Sequence, residues 1–120
     1  MKLPLQVYTA QFSYKGANRL DVTVKGKSPF APTWKMVMDY KNKIITAEEY
    51  TKMYNDLMNK SYKNNRVEWD DLLARESVTL VCYCPSYKFC HRLLLAKRLV
   101  ELGATYKGEI SKKPMMPLMS

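Results

Sequence analysis

The chain is short of cysteine, of acidic residues and of long apolar runs, and each shortage removes a class of explanation. Three cysteines stand among its 120 residues, all between Cys82 and Cys90. An odd, clustered set is a poor disulfide framework, and it suits a compartment that keeps thiols reduced. The longest strongly apolar run, Leu93–Ala96, is far below the roughly 20 residues of a membrane helix, so no membrane partner is expected. Met1-Lys2-Leu3-Pro4 leads into strand-like residues with polar partners, not into a signal-peptide core, and a cytoplasmic location is expected. Internal repeats and low-complexity segments are missing as well.

The acid deficit is the most informative shortage. Asp and Glu total 11 against 20 Lys and Arg, for a net charge of +9. Within residues 1–35 Asp21 is the only acid, against Lys2, Lys15, Arg19, Lys25, Lys27 and Lys35. A small surface with that imbalance attracts phosphates, nucleotides or nucleic acid at modest salt, although many basic proteins bind nothing specific.

What is present is the make-up of a globular protein, 47% hydrophobic and 26% charged. The length suffices for one core and not for two. One α/β domain is expected over residues 1–110. The tail 111–120, with two prolines and three methionines and no period, is expected to be flexible.

The pattern along the chain supports that class. Leu5–Ala10 and Leu20–Val24 read as strands. Lys25–Pro32, with a glycine and two prolines, reads as a loop. Thr33 can cap a short helix to about Lys41. Thr46-Ala47-Glu48-Glu49 is a capping box, followed by Tyr50, Met53, Tyr54, Leu57 and Met58 at helical spacing to near Tyr62. A third helix is expected over Arg66–Arg75, with Val67, Leu72 and Leu73 inward. Val78–Tyr83 is nearly all apolar or β-branched, as a strand buried on both faces should be. After a tight loop over Cys84–Lys88, Phe89–Leu102 is helical, Gly103 suits the left-handed position beyond its end, and Ala104–Ile110 reads as a last strand. This order predicts a Rossmann-like domain with a mostly parallel sheet flanked by helices. Ligands of such folds sit at the strands' carboxyl ends, beside helix N-termini.

The chemistry is therefore expected at Cys84–Arg92. A buried strand ends there, and a helix starts with amides equivalent to about half a positive charge. Arg92, in the first turn, adds a planar donor fork suited to phosphate or carboxylate. Together these describe an anion site, unless Arg92 pairs with an acid such as Asp21 or meets solvent. Zinc is disfavoured. Cys82 and Cys84 share one strand face, Cys82 is expected in the core, and Cys90 and His91 diverge by about 100° on a helix. A thiol nucleophile at Cys84 or Cys90 gains from the helix start and from Arg92. However, a phosphatase-type loop needs about five residues between cysteine and arginine to wrap one phosphate. Here Cys84 and Arg92 are separated by seven residues, and Cys90 and Arg92 by one. His91, the sole histidine, suits proton exchange near neutrality or a bond to a backbone carbonyl equally well. Tyr14, Lys15, Arg19, Lys25 and Lys27 lie on loops whose strands could bring them to the same rim, to stack on a base and meet a phosphate.

Leu80-Val81-Cys82-Tyr83-Cys84, then Phe89-Cys90-His91-Arg92 and an apolar helix, resemble the signature of the domain-of-unknown-function 488 family. Phe30-Ala31-Pro32-Thr33-Trp34, Tyr40-Lys41-Asn42 and Ile45-Thr46-Ala47-Glu48-Glu49-Tyr50 are similar to its middle region, and Asp21 stands where its second strand carries an acid. The resemblance covers about Val7 to Leu102. It implies a small Rossmann-like fold found in bacteria and their phages, and no established reaction. It also implies that Asp21, Cys90, His91 and Arg92 share one pocket.

The expectation is a domain that binds an anionic, nucleotide-like small molecule. Arg92 and the helix amides hold phosphate, and His91 and Cys90 are the candidates for proton exchange or nucleophilic chemistry. Cys84, Asp21, Tyr14, Lys15 and Lys27 line or close the site. No metal or other cofactor is called for. The rivals are a small hydrolase or transferase using Cys and His, and a non-specific nucleic-acid binder. The oligomeric state, homo-oligomers included, is left open.

Overall fold

The computed structural model describes residues 4–24, 28–82 and 91–110. Lys27, the Cys84–Lys88 loop, Cys90 and the tail 111–120 lie outside the described residues. Among the described residues eight elements follow in order: β1 (Gln6–Gln11), β2 (Arg19–Asp21), α1 (Trp34–Lys41), α2 (Ala47–Asn64), α3 (Arg66–Leu73), β3 (Ser77–Cys82), α4 (His91–Glu101) and β4 (Thr105–Ile110). The strands form one sheet in the order β2-β3-β1-β4. Its pairings β1–β3, β1–β4 and β2–β3 are all parallel. The architecture is Rossmann-like α/β.

Strand β3 is interior, and Val78 through Cys82 are all buried, as its apolar composition requires. Val7, Val78, Leu80 and Cys82 belong to one core with Leu95, Ala96 and Leu99 of α4 and with Tyr50, Tyr54 and Met58 of α2. Local chemistry sets the helix starts. Thr33 Oγ1 accepts from the Met36 amide at 3.1 Å. Thr46 and Glu49 close the expected box, at 3.1 Å in one direction and 2.8 Å in the other. Gly103, at φ 111°, takes the conformation that ends α4 without a Cβ penalty.

Three expectations need correction. Strand β2 is Arg19–Asp21, not Leu20–Val24. Asp21 Oδ1 accepts from both the amide and the hydroxyl of Thr23, at 2.8 and 2.6 Å. That local turn competes with continued pairing, although Val22 itself enters the core. In α3, Val67 is 71% exposed and Trp69 is fully buried instead. Trp69 and Leu72 are three apart and share a face, while Val67 lies on the other side of the helix. In α2, Met53 is on the exposed side, because the inward row runs Tyr50, Tyr54, Met58 and Ser61.

Trp69 organises the helical layer. Its ring meets Phe30 edge-on at 4.8 Å and Tyr62 at 5.5 Å, and its Nε1 donates to Ser61 Oγ at 3.0 Å. Ser61 Oγ in turn donates to the Pro29 carbonyl at 2.6 Å, and Tyr54 Oη to that of Phe30 at 2.7 Å. The proline-rich segment before α1 is thus fastened to α2 through its own carbonyls.

Candidate functional site

The site lies where β3 ends and α4 begins, and its geometry follows from helix pitch. Adjacent residues on a helix point about 100° apart. His91 and Arg92, both buried, accordingly reach toward opposite edges of the sheet, β2 and β4. The His91 ring lies 5.8 Å from that of Tyr54, and its Nε2 bonds the Val22 carbonyl just past β2 at 2.5 Å. Arg92 reaches β3 and β4. Its Nη1 donates to Cys82 Sγ at 2.8 Å, and its Nη2 and Nε face the two carboxylate oxygens of Glu109 at 3.3 and 3.5 Å.

Glu109 is the cross-strand partner of Thr9. Thr9 Oγ1 donates to Glu109 Oε1 at 2.5 Å and bonds Tyr106 Oη at 2.7 Å. A buried guanidinium needs a counter-charge and hydrogen-bond acceptors, and this group supplies both. Arg92 thus does pair with an acid, the alternative to an open anion site, and that acid is Glu109 and not Asp21.

Electrostatics assign the protonation state of His91. Burial is the largest influence and holds its pKa below the usual histidine range, and the Arg92 charge acts in the same direction. Cys82 and the Val22 carbonyl oppose them. A carbonyl only accepts, so Nε2 carries the proton and Nδ1 is the basic nitrogen of a neutral ring. Unfolding frees the imidazole to bind a proton below about pH 6.5. The stability His91 confers is therefore complete above that pH and is lost as pH falls below it. The unfolding free energy from urea titration should drop between about pH 7 and pH 5, by at most about 1.4 kcal/mol per pH unit for one proton. His91→Gln should flatten that part of the profile. An identical slope in the variant would assign it to other groups.

The remaining expected residues are spread out. Asp21 is engaged with Thr23, one residue before the carbonyl that holds His91. Tyr14 folds over Gly16, where a Cβ would collide with its ring. Its hydroxyl donates to Asn18 Oδ1 at 2.8 Å, and Asn18 also bonds Ser77 and Thr79. Tyr14 thus lines a groove of about 400 Å³ with Tyr8, Asn18, Ser77 and Thr79, over the first half of β3 and away from the start of α4. Lys15 is exposed. Arg19 is structural: it donates to the Phe12 and Tyr14 carbonyls at 3.1 and 3.0 Å and lies 4.3 Å over the Phe12 ring. Among the described residues no group of His, Cys, Asp or Glu is gathered to hold a metal ion. Nor is any of their helices long and apolar enough to cross a membrane.

Sequence reasoning missed Glu109, Thr9 and Tyr106. The burial of β4 does not alternate, and nothing local marks Glu109 as the residue that meets Arg92.

The fold and this site define a small parallel α/β protein whose helix α4 starts with two buried polar side chains, aimed toward the two edges of the sheet. The family model described as the active DUF488-N3 subclade matches residues 5–103, and the chain belongs to that family, DUF488-N3a. No curated protein and no solved structure matches it.

Proposed function

We propose that the chain binds an anionic, nucleotide-like small molecule above the carboxyl end of β3, in front of α4. The observation that carries this reading is the buried Arg92 guanidinium beside that strand end, bonded to Cys82 and facing a carboxylate, that of Glu109. Ligands of parallel α/β folds gather there, helix amides at that point favour anions, and a net charge of +9 draws them in. In this reading the chain sequesters a nucleotide and does not turn it over. Cys84, Cys90 and Lys27 lie outside the described residues and carry none of the argument.

The word "active" in the subclade's description favours a second reading, a hydrolase or transferase acting on a nucleotide or phosphate ester. His91 would then exchange a proton through Nδ1, the basic nitrogen of its neutral ring.

Calorimetric titration with adenosine and guanosine monophosphates and with inorganic phosphate tests the first reading. One-to-one saturation that survives about 0.3 M salt is expected. Affinity that collapses with salt and ignores the base would point instead to a general nucleic-acid surface. Mass spectrometry of the recovered nucleotide separates binder from enzyme: an unchanged mass supports sequestration, an altered one turnover. Silence toward every anion sinks both.

A further inference from the structure

We propose that Glu109 is a built-in competitor at this site, its carboxylate holding Arg92 in the unliganded protein and giving way to an incoming oxyanion. The inference rests on the anion-binding reading and names the residue that sets its affinity.

Four observations support it. The Arg92 side chain is wholly buried, while that of Glu109 is 22% exposed, so the carboxylate stands on the solvent side of the pair. The separations of 3.3 and 3.5 Å exceed the roughly 2.7–2.9 Å of a tight guanidinium–carboxylate pair. The contact is therefore a loose one. Glu109 sits on an edge strand, after a register shift at Val7/Tyr8 and directly after Gly108 at φ 118°, where the backbone departs from regular pairing. Finally, its withdrawal orphans no other group named here. Thr9 keeps Tyr106, Arg92 keeps Cys82, and the released carboxylate reaches water. The exchange replaces one oxyanion on the guanidinium by another, and no covalent bond changes.

The class of ligand follows from what is displaced. A planar fork that accepts a carboxylate through Nε and Nη2 also accepts two oxygens of a phosphate. The test uses inorganic phosphate as probe, titrated into wild type, Glu109→Gln and Glu109→Asp, with melting curves in parallel. Glu109→Gln keeps the shape without the charge and should bind phosphate about tenfold more tightly, within the usual range of site coupling. Glu109→Asp retains the charge on a shorter arm and should fall between, which keeps the test decisive if the glutamine variant folds poorly. Equal affinity in wild type and in a folded variant overturns the competitor role and leaves the anion site standing. No phosphate binding by any of the three proteins overturns the site itself.

Discussion

Trp69→Ala should lower the unfolding free energy by about 3–5 kcal/mol, the usual cost of truncating a large buried aromatic side chain. Trp69 is fully buried, so its loss removes the transfer energy of the indole and leaves a cavity. That cavity cannot collapse easily, because its walls are fastened independently. Phe30 and Tyr62 lean on the ring from two sides, while the carbonyls of Pro29 and Phe30 are tied to Ser61 and Tyr54. Ser61 also loses the indole as a donor. Against a typical total of about 5–15 kcal/mol, the change is large enough to populate unfolded chain. Urea denaturation followed by circular dichroism measures it. Trp34, 60% exposed, serves as control, since its replacement should cost under about 0.5 kcal/mol. A Trp69 variant as stable as the Trp34 variant would contradict the described core.

Arg92→Met should cost about 3 kcal/mol, the lower end of the range for breaking a buried ion pair. The cost has two parts. Cys82 loses the guanidinium as a donor, and Glu109 loses the Arg92 charge. Partial exposure of Glu109 lets water relieve some of the second part, which is why the upper end is not reached. Adding Glu109→Gln to Arg92→Met should recover about 1–2 kcal/mol, a coupling expected of residues in direct contact. Purely additive losses in the double variant would mean that the two side chains do not interact in solution. The single variant should also lose phosphate binding, and the melting curve separates that loss from unfolding.

The parts of the fold that were legible in the sequence are those with short-range causes. The Thr46–Glu49 box, the apolar run of β3 and Gly103 after α4 each declare themselves within a few residues. Trp69 was passed over because α3 is only Arg66–Leu73, too short for a period to separate Val67 from Trp69. The end of β2 was misplaced because Val22, Thr23 and Val24 have high β-propensity, and the Asp21 side chain overrides it. At the site, the helix start and Arg92 were legible as a local pattern. The partner was not: Glu109 lies 17 residues further along the chain, and only the pairing of β4 beside β1 carries it to the guanidinium.

The splayed pair at the head of α4 makes the order of two letters matter as much as their identity. Writing Arg before His at these positions would preserve composition, charge and helix propensity. It would nevertheless aim the cation at the flank where Val22 offers a lone carbonyl, and the imidazole at the flank where Glu109 offers a full negative charge. The dipeptide thus works as a directional key, and a relative that carried the same residues in reverse would need its outer strands rebuilt to match.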